Sequence, residues 1–163
     1  MSTIWEKAKD IETKGRDFYI ELAGKSSREE VASIFKVLAD EEQKHYDLFD
    51  SLEKQLEVGE LPKSTSISDA KEAFARLASA FKTEDPVEDA ESTYAKALEL
   101  ERTSVEYYNS ILEQLDDGKQ KEAVKTIIGE EQRHERIVEG LMEFVRRPKE
   151  WLEDAEFYHL EEY

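Results

Sequence analysis

The 163 residues include 40 Asp and Glu against 23 Lys and Arg, for a net charge of -17, and contain no cysteine. The acid excess argues against a nucleic-acid backbone as partner, because such a surface repels phosphate, and the lack of sulfur excludes disulfides, thiolate zinc sites, Cys-ligated iron–sulfur centres and Cys nucleophiles. Apolar residues, at 39%, are few for a globular domain, but Ala, Glu, Lys, Leu and Arg make up 80 of the 163, near the half share that marks long helices.

Helix punctuation predicts five helical segments and a tail. The first helix runs from Ser2 or Thr3 to Ala23, with Gly24 in the left-handed stop conformation. Its start, Met1 to Gly15, is charged throughout, and no run in the chain approaches the roughly 18 apolar residues of a membrane span, so a soluble cytoplasmic protein with no membrane partner is expected. Ser27-Arg28-Glu29-Glu30 has the spacing of a capping box and opens a second helix to about Glu57, broken by Gly59 and Pro62. After a polar stretch, Lys63 to Ser68, a shorter amphipathic helix is expected from Asp69 to Phe81. Asp85-Pro86-Val87-Glu88 reads as the start of a third long helix, ending near Asp117-Gly118. The fourth spans Lys119 to Arg147, with Arg146 and Arg147 complementing its negative end and Pro148 stopping it.

Short loops within each pair of long helices predict two antiparallel hairpins, joined by a crossover of about 28 residues that is long enough to run the length of the bundle. The fold class is therefore all-α, with residues 1–147 forming a four-helix bundle and residues 148–163 an aromatic-rich tail. The tail, with Trp151 and His159, is expected to pack on the bundle or on a partner chain.

The two hairpins are related at an offset of 89 residues. Ile11-Glu12 aligns with Leu100-Glu101, Phe18-Tyr19 with Tyr107-Tyr108, and Glu41-Glu42-Gln43-Lys44-His45 with Glu130-Glu131-Gln132-Arg133-His134, all without a gap. A block of this length together with an upstream glutamate at the same spacing points to duplication with approximate two-fold symmetry.

The apolar stripes contain polar residues at core positions. On the first helix the stripe reads Trp5, Ala8, Glu12, Gly15, Tyr19, Leu22, and on the second Val31, Phe35, Leu38, Glu42, His45, Phe49, Leu52, Leu56. On the third it reads Val87, Ala90, Tyr94, Ala97, Glu101, Ser104, Tyr108, Ile111, Leu115, and on the fourth Val124, Ile127, Glu131, His134, Val138, Leu141, Val145. Four glutamates and two histidines thus point into one bundle. Buried together, the carboxylates must protonate, pair with bases or bind metal, and no Lys or Arg lies on these stripes. Two divalent cations would balance four carboxylates, and imidazole nitrogens suit iron or manganese better than magnesium or calcium. Residues three apart on a helix share a face, so each Glu-x-x-His can address one ion.

One Glu from each of two helices and Glu-x-x-His from each of the other two is the ferritin-like dimetal pattern. The segments Ile11-Glu12-Thr13-Lys14-Gly15-Arg16-Asp17-Phe18-Tyr19 and Asp40-Glu41-Glu42-Gln43-Lys44-His45 most resemble the rubrerythrin-like branch, and the resemblance covers all four long helices. It implies a ferritin-like bundle with two iron ions, or manganese, held by Glu12, Glu42, His45, Glu101, Glu131 and His134, with Glu42 and Glu131 bridging. Tyr19 and Tyr108 look like the tyrosines that hydrogen-bond ligand carboxylates in such proteins, although core packing accounts for them equally well. The implied activity is oxidation of ferrous iron with reduction of peroxide or dioxygen, in a homodimer or larger homo-oligomer. Ferroxidase or iron-storage activity is an alternative, as is a structural bundle with a vestigial site. Full-length rubrerythrins carry a Cys-ligated rubredoxin iron, so a chain without Cys implies a separate electron-donor protein. Many also place a further glutamate three residues after the third-helix ligand, where this sequence has Ser104. Glu41 and Glu130 stay unassigned between surface solvation and an acidic path to the site.

Overall fold

The computed structural model describes residues 3–55, 63–82, 85–87 and 89–153, and all regular structure among them is helical. In chain order the helices are α1 (Ile4–Lys25), α2 (Glu29–Glu53), α3 (Ser66–Ala80), α4 (Glu91–Gln114), α5 (Gly118–Arg146) and α6 (Pro148–Glu153). Short links at residues 26–28 and 115–117 fold α1 with α2 and α4 with α5 into the two expected hairpins. The hairpins pack through α1 against α4 and α2 against α5, and the crossover helix α3 lies on α2 and α5. This is the all-α, ferritin-like bundle that the sequence predicts. None of the described helices is long and apolar enough to cross a membrane.

Several helix ends differ from the sequence reading, each for a local reason. Gly24 stays within α1, which continues to Lys25, and no described glycine has a positive φ; extended Ser26 ends the helix instead, its amide bonded to the Leu22 carbonyl. Arg28 rather than Ser27 is the N-cap of α2, and the Arg28 side chain makes no capping hydrogen bond. The expected end of α2, at Glu57 with Gly59 and Pro62 beyond, lies outside the described residues, as does Leu56. The helix stops earlier, at Glu53, where Gln55 turns left-handed at a φ of 56°. α3 begins at Ser66 instead of Asp69. Asp85 does not start α4, because its carboxylate accepts from the Lys82 amide and pairs with Arg28 across the loop, and the helix begins only at Glu91. Asp117 caps α5 by accepting from the Lys119 and Gln120 amides, so Asp117-Gly118 opens that helix rather than ending α4. Pro148 stops α5 but also begins α6, which fits its tolerance for the first helical turn.

The core falls into two apolar clusters. One gathers Leu22, Phe35, Leu38, Leu77, Tyr94, Val138, Leu141 and Trp151; the other gathers Ala8, Phe49, Tyr108, Ile111, Val124 and Ile127. Every long helix passes from one cluster to the other, and the stretch between them holds a glutamate or a Glu-x-x-His. Val145, expected in the core, is only partly covered, and Phe144 takes the buried position. Lys9 ties α1 to α2 through Asp50 at 3.0 Å and Glu53 at 2.9 Å, and Arg146 ties the end of α5 to Glu91 at the start of α4 at 2.6 Å.

Trp151 fastens α6 to the bundle. It is fully buried, edge-on to Phe144 at 5.0 Å and to Phe74 at 5.7 Å, so it joins α3, α5 and α6. Residues 154–163, His159 among them, lie outside the described residues. Removing the indole would leave a large void, and Trp151→Ala is expected to destabilise the metal-free chain by about 3–5 kcal/mol in chemical denaturation; a loss under about 1 kcal/mol would contradict this packing.

Candidate metal centre

The periodicity that makes each long helix amphipathic also brings the six polar residues together. Glu12, Glu42, His45, Glu101, Glu131 and His134 are each at most 3% exposed. They form two overlapping groups, Glu12, Glu42, His45 and Glu131 in one and Glu42, Glu101, Glu131 and His134 in the other. Within each group the potential ligand atoms lie within 4.8 Å of one another. Glu42 and Glu131 belong to both groups.

The contacts repeat under the 89-residue offset, with the hairpins exchanging partners. His45 Nδ1 approaches Glu131 Oε1 at 2.7 Å and Glu12 Oε2 at 3.5 Å, while His134 Nδ1 approaches Glu42 Oε1 at 3.0 Å and Glu101 Oε1 at 3.4 Å. Tyr19 donates its hydroxyl to Glu101 at 2.5 Å, and Tyr108 donates to Glu12 at 2.5 Å. Seven residues is about 10 Å along a helix, so neither tyrosine reaches the glutamate of its own helix. Each reaches instead the glutamate of the antiparallel neighbour. The imidazole rings lie 6.0 Å apart, nearly parallel.

Behind each histidine stands a carboxylate that the sequence reading left unassigned. Glu130 Oε1 is 3.0 Å from His45 Nε2, and Glu41 Oε1 is 2.8 Å from His134 Nε2; both carboxylates are buried. Each outer carboxylate fixes the imidazole so that Nδ1 faces the cluster, the arrangement that orients metal-bound histidines. The sign of this role in the sequence is the doubled Glu-Glu of the repeated block. Gly15 is a further contributor, since a Cβ at that position would come within 3.2 Å of Glu42 Oε2; its absence leaves room for that carboxylate.

The donor set fits metal ions on its own chemistry. Glu12 Oε2, His45 Nδ1, Glu101 Oε2 and both oxygens of Glu131 are buried without a hydrogen-bond partner. His45 Nδ1 and Glu131 Oε1 are close but not aligned as a hydrogen bond, the relation expected of neighbouring ligands aimed at a common point. Among the described residues the four glutamates have no lysine or arginine in ion-pair range, only the two histidines.

Without metal, protons must balance this charge. Burial pushes the Glu42 carboxyl well above the usual range, helped by Glu12 and Glu101, and burial likewise raises Glu131, helped by Glu101 and Glu42. Burial alone would lower the imidazoles, but Glu12 raises His45 and Glu101 raises His134, both well above the ordinary value. Burial also raises both tyrosines, so their hydroxyls remain donors. Glu41 goes the other way: against burial, the His134 hydrogen bond and charge bring it down to about 2.

A family model described as Rubrerythrin matches residues 4–142. No curated protein and no solved structure matches. The chain belongs to the rubrerythrin family, and its buried Glu and His clusters could hold metal.

Metal binding requires Glu42 and Glu131 ionised and both histidines neutral, while the raised values favour protons on all four. Divalent cations are therefore expected to displace protons, with affinity rising from pH 6 to pH 8 and falling again on acidification. Titrations in buffers of different ionisation enthalpy read the proton release directly; a pH-independent affinity would contradict this electrostatic picture.

Proposed function

We propose that this chain is a diiron-carboxylate oxidoreductase that oxidises ferrous iron while reducing peroxide, with electrons restored by a separate donor protein. The observation that carries the reading is the enclosed, two-fold repeated set of four glutamates and two histidines, with ligand atoms that nothing else satisfies. Glu12 and His45 would serve one ion, Glu101 and His134 the other, and Glu42 and Glu131 both. Two ferrous ions held there would supply two electrons, which together with two protons convert one peroxide to two waters.

The chain's own groups create the conditions. Two divalent cations would balance the four inner carboxylates, so the apolar clusters on either side would not have to enclose those four charges uncompensated. Tyr19 and Tyr108 each engage one oxygen of Glu101 or Glu12 and leave the other free to ligate. Glu41 and Glu130 hold the imidazoles with Nδ1 inward. The apolar walls limit water, which strengthens every electrostatic interaction inside.

One observation favours ferroxidase or iron-handling activity as a second reading. Ser104 is buried where many rubrerythrins have a further glutamate, and its hydroxyl is bonded to the Leu100 carbonyl at 2.8 Å, so that position offers no carboxylate for exchange between ligand sets. The anaerobic chain is expected to take up about two ferrous ions. Stopped-flow mixing with peroxide and, separately, with dioxygen then distinguishes the readings. Oxidation at least about tenfold faster with peroxide supports the peroxidase; a faster reaction with dioxygen supports the ferroxidase; uptake of less than about one iron per chain defeats both.

A further inference from the structure

The two halves match at the candidate ligands but differ in what stands behind the histidines. Glu41, which holds His134, is itself held by the crossover. Ser64 Oγ lies 2.9 Å from each of its carboxylate oxygens, and the Thr65 amide donates to Oε2 at 3.2 Å. Ser64 in turn is anchored by Ser66, whose hydroxyl is 3.0 Å away and whose amide donates to Ser64 Oγ at 3.3 Å. Ser66 is buried at the first turn of α3, so this support is part of the packed crossover. Glu130, the counterpart that holds His45, accepts from no other group among the described residues.

From this difference we propose that Ser64, through Glu41, makes the two metal positions unequal, with the His134 position binding the first and more tightly held ion. The inference rests on the diiron reading above. Glu41, fixed by donors from the crossover, keeps His134 in one tautomer and one orientation before metal arrives, so less freedom is lost on binding. Glu130, supported only by its histidine, holds His45 less firmly, so more freedom is lost when the second ion binds. Ser64 is thus a positioning residue, reaching the centre through Glu41 and His134.

Anaerobic calorimetric titration of the full chain with ferrous iron tests this. The unaltered chain is expected to fill in two steps whose affinities differ by at least about tenfold. Ser64→Ala should weaken the tighter step by about tenfold and leave the weaker one within about twofold. Ser64→Thr, which keeps the hydroxyl, should restore it. Glu130→Gln should weaken only the weaker step, assigning that step to His45. The metal-free variants are expected to melt within a few degrees of the unaltered chain; a collapse of the Ser64→Ala fold would make the role structural and overturn the inference. Two equal steps, a Ser64→Ala effect on both steps or on neither, or a Glu130→Gln effect on the tighter step would also overturn it, and would leave the metal centre standing. No ferrous uptake by the unaltered chain would remove the diiron reading and the inference with it.

Discussion

Four carboxylates and two imidazoles enclosed between two apolar clusters cannot stand as bare charges, and much else in the molecule follows from that constraint. Even after relaxation, an uncompensated buried ion costs several kcal/mol, and among the described residues no lysine or arginine pairs with the four glutamates, only the two histidines. Two solutions remain. Protons on Glu42, Glu131, His45 and His134 offset the charges of Glu12 and Glu101, and two divalent cations in their place would offset all four of these glutamates, with Glu41 and Glu130 standing outside both balances. The fold encloses a cluster that could hold either. The flanking clusters give it rigidity, since each long helix is anchored in apolar packing on both sides of its polar residues.

Duplication explains why this arrangement is economical to encode. One hairpin supplies a glutamate, a Glu-x-x-His, an outer glutamate and a tyrosine, and the second supplies the same set at an offset of 89. Antiparallel packing makes each hairpin complete the other: Tyr19 serves Glu101, Tyr108 serves Glu12, and each histidine leans on an outer carboxylate from the opposite hairpin. The symmetry is broken at a few positions. Gly15 leaves space beside Glu42 where its counterpart Ser104 turns back onto its own helix, and the crossover reinforces only Glu41.

The gathering of the six polar residues was largely legible in the sequence because they occupy core slots in a 3.6-residue period, where a glutamate is conspicuous. Glu41 and Glu130 were not legible in the same way. Each is one residue from the stripe, about 100° around its helix, a direction that usually faces water; only the packing of the opposite hairpin turns it inward. Helix ends failed for a related reason. Asp85 has the chemistry of a cap, but Lys82 and Arg28 compete for its carboxylate, and Asp117 could as well begin one helix as end another. Such positions are decided by tertiary partners that the local sequence does not reveal. Ser64 lies in the polar stretch before α3, and its engagement with Glu41 depends on where the crossover lands.

The most direct test of the central claim is anomalous diffraction at the iron edge from crystals of the full chain loaded anaerobically with ferrous iron. The account predicts two peaks inside the belt, about 3.5–4 Å apart, one against His45 Nδ1 and one against His134 Nδ1, with Glu42 and Glu131 between them. An empty belt, or iron only on the acidic exterior, would contradict it.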